Sequence, residues 1–179
     1  MTVSLYCPWS VEARERGERM SRKVLIAESK KCVGCRICEQ WCSLTHFGTI
    51  NPGKSRIKIT RLENKGINIP TICTQCSKAA CIEACPTEAL SKDPKTGAIK
   101  LEKEKCTLCR KCIHACPQGA VSIHPTDEYV LICDLCHGRP KCVENCPEGA
   151  LQYVPVEISD RLYRSLVVDE TAKGENSRG

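Results

Sequence analysis

Four runs of cysteine dominate the chain. The first is Cys32, Cys35, Cys38 and Cys42, and the second is Cys73, Cys76, Cys81 and Cys85. The third is Cys106, Cys109, Cys112 and Cys116, and the fourth is Cys133, Cys136, Cys142 and Cys146. Each run closes on a Cys-x-x-x-Cys step. Thiolates are soft metal ligands, and sixteen of them are what four cubane iron–sulfur clusters require. A cubane has four iron corners, and each takes one thiolate. A tight loop with Cys at i, i+3 and i+6 presents three sulfurs to three corners of one cube, leaving the fourth corner facing away. A row of such centres would carry electrons.

The spacing C-x2-C-x2-C-x3-C followed by Pro is that of bacterial ferredoxins, where the fourth Cys of one run ligates the other cluster. Here Pro86, Pro117 and Pro147 follow three of the four runs and turn the chain away. Four runs make two pairs of clusters. Pairing runs one with four and two with three nests one unit inside the other, whereas pairing one with two and three with four sets them side by side. Spacing leaves both open. Runs two and four have wider gaps, Cys76 to Cys81 and Cys136 to Cys142, which marks them for altered potential or lability.

The elements that position these loops repeat. Aligned on their last cysteines, the segments CPTEALSKDP, CPQGAVSIHP and CPEGALQYVP share Ala89, Ala120 and Ala150, then Pro94, Pro125 and Pro155. Each unit reads as a Cys-bearing loop, a short helical turn and a short strand. Asp93-Pro94-Lys95-Thr96-Gly97 is a turn signal, and residues 98–102 alternate as a strand does. Run one departs from the repeat. Ser43 replaces the Pro, and residues 43–72 contain an Asn51-Pro52-Gly53 turn and a strand at Ile57-Lys58-Ile59. The expected fold is α+β, two ferredoxin-like units of short strands and helices wrapped around clusters. Residues 1–23 read as an N-terminal arm gripping a partner, with Cys7 a spare thiol. Residues 24–155 form the polyferredoxin domain, and 156–179 a charged C-terminal tail.

Composition supports metal over disulfides. With 179 residues, 17 Cys, two Trp, four Tyr and one Phe, the chain lacks the large side chains of an ordinary core. Metal centres can replace that missing burial. No secretory signal precedes the runs, and cysteines packed three in seven residues chelate better than they cross-link. Structural zinc sites join two short Cys pairs across a dozen or more residues, which continuous runs do not resemble. The formal charge of +6 counts cysteine as neutral. Four clusters at about −2 each bring the holoprotein near −2, so the Lys and Arg offset cluster charge and do not point to nucleic acid. No apolar run reaches the length of a membrane span, and the expected location is the cytoplasm.

With sixteen cysteines present, no iron corner is free for His46, His114, His124 or His137, which are expected on the surface or behind the ligands. Trp41 is expected to pack. Lys31, Arg36, Lys105, Arg110 and Lys111 flank the runs and would raise cluster potentials or simply face solvent.

The order of the runs resembles the iron–sulfur electron-transfer subunits of the dimethyl-sulfoxide-reductase group. Within it, Cys32-Val33-Gly34-Cys35-Arg36-Ile37-Cys38-Glu39, then Asn51-Pro52 and Ser55-Arg56-Ile57, are similar to the small subunits serving tungsten enzymes of the aldehyde oxidoreductase family. The resemblance spans residues 24–155. It implies the nested pairing, with an outer unit of 24–60 plus 126–155 and an inner unit of 68–125. It implies four [4Fe-4S] clusters: Cys32, Cys35, Cys38 and Cys146 on the first, and Cys133, Cys136, Cys142 and Cys42 on the second. Cys73, Cys76, Cys81 and Cys116 would hold the third, and Cys106, Cys109, Cys112 and Cys85 the fourth. It also implies a large tungsten- or molybdenum-pterin catalytic subunit, of aldehyde oxidoreductase or aromatic-ring reductase type, and a further redox carrier such as a ferredoxin. Carbon monoxide dehydrogenase and hydrogenase subunits share the cysteine pattern.

The expected function is therefore electron transfer without catalysis. A substrate-binding cluster would need a run with only three cysteines, and all four runs are complete. A zinc-bearing interaction module is the remaining rival, and it would be colourless.

Overall fold

The computed structural model describes residues 22–159, and the remainder of the arm and tail, with Cys7, lies outside them. Proline sets the length of three helices. The helices α2 (Ala80–Glu83), α3 (Lys111–Ala115) and α4 (Lys141–Glu144) each stop before the Cys-Pro step, because Pro disfavours a helical residue ahead of it. Helix α1 (Ile37–Phe47) has Ser43 where the others have Pro and runs for 11 residues. It ends at Gly48, whose left-handed φ of 66° lets its N–H reach the Leu44 carbonyl, a helix stop suited to glycine.

Among the described residues, eight strands form four two-stranded antiparallel sheets. The first strand, β1 (Lys23–Ala27), pairs with the last, β8 (Leu151–Pro155), so residues at the two ends of the described chain lie together. Strands β2 (Lys58–Leu62) and β3 (Ile67–Thr71) form a hairpin within the segment that follows run one. The repeat units supply β4 (Leu90–Lys92) with β5 (Ile99–Leu101), and β6 (Ser122–Ile123) with β7 (Val130–Leu131). The turn expected at 93–97 joins β4 to β5. Asp93 Oδ1 accepts the Lys95 N–H at 2.8 Å, and Gly97 sits at φ 71°. The strand expected at 57–59 is shifted to Lys58–Leu62, because Ser55 Oγ takes the Ile57 N–H and holds residue 57 in a turn.

Two apolar cores result. One gathers Leu25, Ile57, Ile59, Leu135 and Leu151 with Cys38, Cys42 and Cys142. The other gathers Leu90, Ile99, Val121, Val130 and Ile132 with Cys73, Cys81 and Cys112. Cys133 packs against both. Helix α1 packs on α4, and α2 on α3. Each fully buried Leu or Ile contributes about 1.5–3 kcal/mol, and the short strands offer few of them.

Gln75 fastens the two cores together. It is fully buried, its Nε2 donates to the Cys133 carbonyl at 2.7 Å, and its Oε1 accepts the Ile99 N–H at 2.8 Å. The Arg22 guanidinium donates to the Gln75 carbonyl. Glu39 does similar work inside the first core, where its buried carboxylate accepts the Ile59 N–H at 2.7 Å and ties α1 to β2.

Candidate metal centres

Each cysteine run folds into the same loop. The residue two beyond the first Cys has positive φ in all four: Gly34 at 69°, Gln75 at 53°, Leu108 at 49° and Leu135 at 58°. Such a conformation costs a non-glycine residue of order 1–3 kcal/mol, and it persists only where the surroundings hold it. Gly34 is also crowded. A Cβ there would lie 2.8 Å from Asn68 Cγ, and the Asn68 amide donates to the Cys32 carbonyl at 3.0 Å. Run four extends the left-handed stretch through Cys136 and His137, which absorbs its wider gap.

The sixteen cysteines of the four runs line four cavities, and one of them, Cys73, lines two. Cys32, Cys35, Cys38 and Cys146 line the first. Cys42, Cys133, Cys136 and Cys142 line the second, where Cys73 also reaches the wall. Cys73, Cys76, Cys81 and Cys116 line the third, and Cys85, Cys106, Cys109 and Cys112 the fourth. Every cavity thus takes three cysteines from one run and the last cysteine of another.

Burial shapes the thiols. Burial first, then the neighbouring Glu39 charge, pushes Cys38 up to about 12. Burial likewise raises Cys73 to about 12 and Cys112 to about 11, and raises Cys133 and Cys142. Burial disfavours the thiolate form at these positions, and a cationic centre bound to the sulfur would offset that cost. Cys85 goes the other way. Burial raises it, but the Thr87 hydroxyl and the backbone N–H groups of Thr87, Ala89 and Leu90 outweigh that. Further donors reach sulfur elsewhere: Arg56 N–H to Cys42 Sγ at 3.3 Å and Ala120 N–H to Cys116 Sγ at 3.4 Å. This donor set, four sulfurs in a mainly apolar cavity with backbone N–H groups reaching several of them, fits an iron–sulfur cube.

Comparison with known proteins agrees with that chemistry. Residues 65–155 match the family model described as a 4Fe-4S dicluster domain. This chain belongs to the 4Fe-4S dicluster ferredoxin family. It is 46% identical over 123 residues to the "Aliphatic sulfonate oxidoreductase, polyferredoxin-like subunit" of Pyrococcus furiosus, covering 69% of this chain and 70% of that one. It is 33% identical over 106 residues to the electron transport protein HydN of Escherichia coli, covering 56% and 59% of the two chains. Among solved structures, a chain of the "Active site complex BamBC of Benzoyl Coenzyme A reductase in complex with Benzoyl-CoA" matches at 29% identity with a TM-score of 0.44, covering 84% of this chain and 96% of that one. The family and relatives make this an iron–sulfur electron-transfer subunit of the oxidoreductase type. No helix among the described residues is long and apolar enough to cross a membrane.

The remaining residues singled out from the sequence divide. Lys31 and Lys105 are exposed and pair with Glu28 at 2.8 Å and Glu102 at 2.7 Å. Arg36 and Arg110 take the same left-handed position ahead of α1 and α3, and Lys111 opens α3. Trp41, His114 and His137 are exposed. His124 is buried, stacked on Tyr129 at 4.7 Å between ring centroids. His46 places its Nε2 near the sulfur of a run cysteine, Cys136.

Asp134, Arg56, Gln75 and Glu39 escaped the sequence reading as structural partners of the cysteine loops. The signal for His46 was present. With no Pro at position 43, α1 continues past Cys42, and Cys38, Cys42 and His46 repeat every four residues along one helix face.

Proposed function

We propose that the chain holds four [4Fe-4S] clusters, one per cavity, and is a non-catalytic cytoplasmic relay between a tungsten- or molybdenum-pterin catalytic subunit and a second redox carrier. The observation that carries this reading is that every cavity is lined by three cysteines of one run and the last cysteine of another, with Cys73 as a fifth in the second cavity. Such a pattern supports the nested assignment of residues 24–60 with 126–155 around 68–125. A bound cube of this kind takes up and returns one electron.

The chain's own residues set the path. Runs one and four share the first two cavities, and runs two and three share the last two. Cys73 lines both the second and the third cavity, and Cys133 packs against both cores, so the two pairs meet there. Cys35 of the first cavity and Cys109 of the fourth are the two exposed run cysteines, which favours them as entry and exit. The other fourteen run cysteines are buried or half-buried, which limits how far the ligand cage can move on reduction. The Pyrococcus furiosus relative is named as the polyferredoxin-like subunit of an oxidoreductase, which supports a large catalytic partner here. The tungsten or molybdenum assignment rests on the likeness of residues 32–39 and 51–57 to subunits serving tungsten enzymes.

Anaerobic co-purification from the native source tests the reading, with iron, sulfide, tungsten, molybdenum, nickel and zinc measured against each polypeptide. About sixteen irons on this chain, with tungsten or molybdenum on a larger associated subunit, is the expected result. Nickel on the partner would move the chain to a carbon monoxide dehydrogenase or hydrogenase. Zinc on this chain would overturn the relay.

A further inference from the structure

The walls of the four cavities are not equivalent, and the second carries a built arrangement of side chains. His46, at the end of the stripe Cys38–Cys42–His46 on α1, places its Nε2 3.5 Å from Cys136 Sγ. The same nitrogen is 3.4 Å from Asp134 Oδ1. Asp134 is itself fixed from two other sides. Its Oδ1 accepts the Cys136 N–H at 3.0 Å, and its Oδ2 meets Arg56 Nη1 at 2.6 Å. Arg56 also sends its backbone N–H to Cys42 Sγ, a sulfur of the same cavity. The His46, Asp134 and Arg56 side chains are only 12%, 18% and 16% exposed, so this is no loose surface network.

Each part has a job that depends on the others. Arg56 neutralises Asp134, so the carboxylate adds little repulsion toward an electron on the nearby sulfur cage. Asp134 holds the Cys136 loop and braces the imidazole. The imidazole then has one N–H to share between a carboxylate oxygen already engaged and a sulfur. When that sulfur is a ligand it carries more negative charge than a thiol, and the share going to it grows. Hydrogen bonds to cluster sulfurs favour the reduced state. His46, Asp134 and Cys136 could also cage a free metal ion, but that would take the Cys136 sulfur away from its cavity.

We propose that His46 is a positioning and tuning residue: its N–H on Cys136 Sγ raises the reduction potential of the cluster held by Cys42, Cys133, Cys136 and Cys142, making that interior cluster a resting place for an electron. The inference rests on the four-cluster reading above. Reduction adds one electron to that cluster, and His46 keeps its proton.

The experiment uses the intact chain loaded with iron and sulfide, in wild type, His46→Phe and His46→Gln. Iron and sulfide are counted first, and about sixteen irons in the wild type separates this test from failure of the four-cluster reading. Midpoint potentials are then read by electron paramagnetic resonance during redox titration. Cys136→Ser marks the signal that belongs to the second cavity. In His46→Phe, with iron unchanged, that one midpoint falls and the other three hold. In His46→Gln, which keeps an N–H donor, it falls less. Four unchanged midpoints in His46→Phe would overturn the proposal. So would an equal fall in both variants, which would assign the effect to ring packing, or loss of about a quarter of the iron in His46→Phe, which would make His46 a ligand.

Discussion

The sharing of cysteines between runs can be tested by counting iron in double variants. Cys146 belongs to run four but lines the cavity of Cys32, Cys35 and Cys38. Cys142, its neighbour in the same run, lines another cavity with Cys42, Cys133 and Cys136. Removing both Cys32 and Cys146, which lie far apart in sequence, strikes one cavity twice. With about four irons per cavity, the expected loss is about four of sixteen. Removing Cys142 and Cys146, one helical turn apart in sequence, strikes two cavities and should cost about eight. Non-additivity therefore reports which cysteines share a site, just as a double-mutant cycle reports which residues touch. The assay is iron and sulfide per polypeptide after anaerobic purification of Cys32→Ala/Cys146→Ala and Cys142→Ala/Cys146→Ala. If the distant pair lost eight and the adjacent pair lost four, each run would be holding its own cluster, and the reasoning from cavity lining would be wrong.

Gln75→Ala should leave the Ile99 N–H and the Cys133 carbonyl without partners, at a cost of about 1–3 kcal/mol each, read as a lower anaerobic melting temperature. Gly34→Ala should impair iron retention around Cys32 and Cys35, since a left-handed φ costs alanine about 1–2 kcal/mol and the new methyl also meets Asn68. Gly119→Ala has the same sign of φ with open space beside it, and should cost the φ penalty alone. Chelation of the iron should unfold the chain, visible as lost circular dichroism, because the cores are small and built partly of ligands. Thiols raised to about 12 in Cys38 and Cys73 must lose protons to bind. Loading should therefore release protons and strengthen as pH rises, with a slope of up to about four protons per cluster, and a flat pH dependence would contradict this.

The chemistry was far more legible in the sequence than the architecture. Thiolate spacing is short-range information, and so is the Cys-Pro step that ends three helices. The turn from Asp93 to Gly97 could also be read, because aspartate and glycine act there on their own backbone. The pairing of β1 with β8 could not, since Lys23–Ala27 and Leu151–Pro155 carry no feature that names the partner across the chain. Gln75 and Glu39 were invisible for a different reason. Polar residues are ordinarily exposed, and only the three-dimensional arrangement reveals that these two satisfy buried strand amides. His46 lay between: its helical phase with Cys38 and Cys42 was readable, its meeting with Cys136 was not.

The closure of β1 on β8 has a consequence for how the protein is made. Cys32 and Cys146 line one cavity although roughly 110 residues separate them. A ribosome adding about 5–20 residues per second needs roughly 6–22 s to bridge that interval. During it, the four cysteines of run one emerge before Cys146 exists to complete their cavity. The cysteines of the third and fourth cavities all lie within residues 73–116, so they are made before those of run four. Among the sixteen run cysteines, those of run one are therefore the first made and the ones that wait longest for a cavity partner.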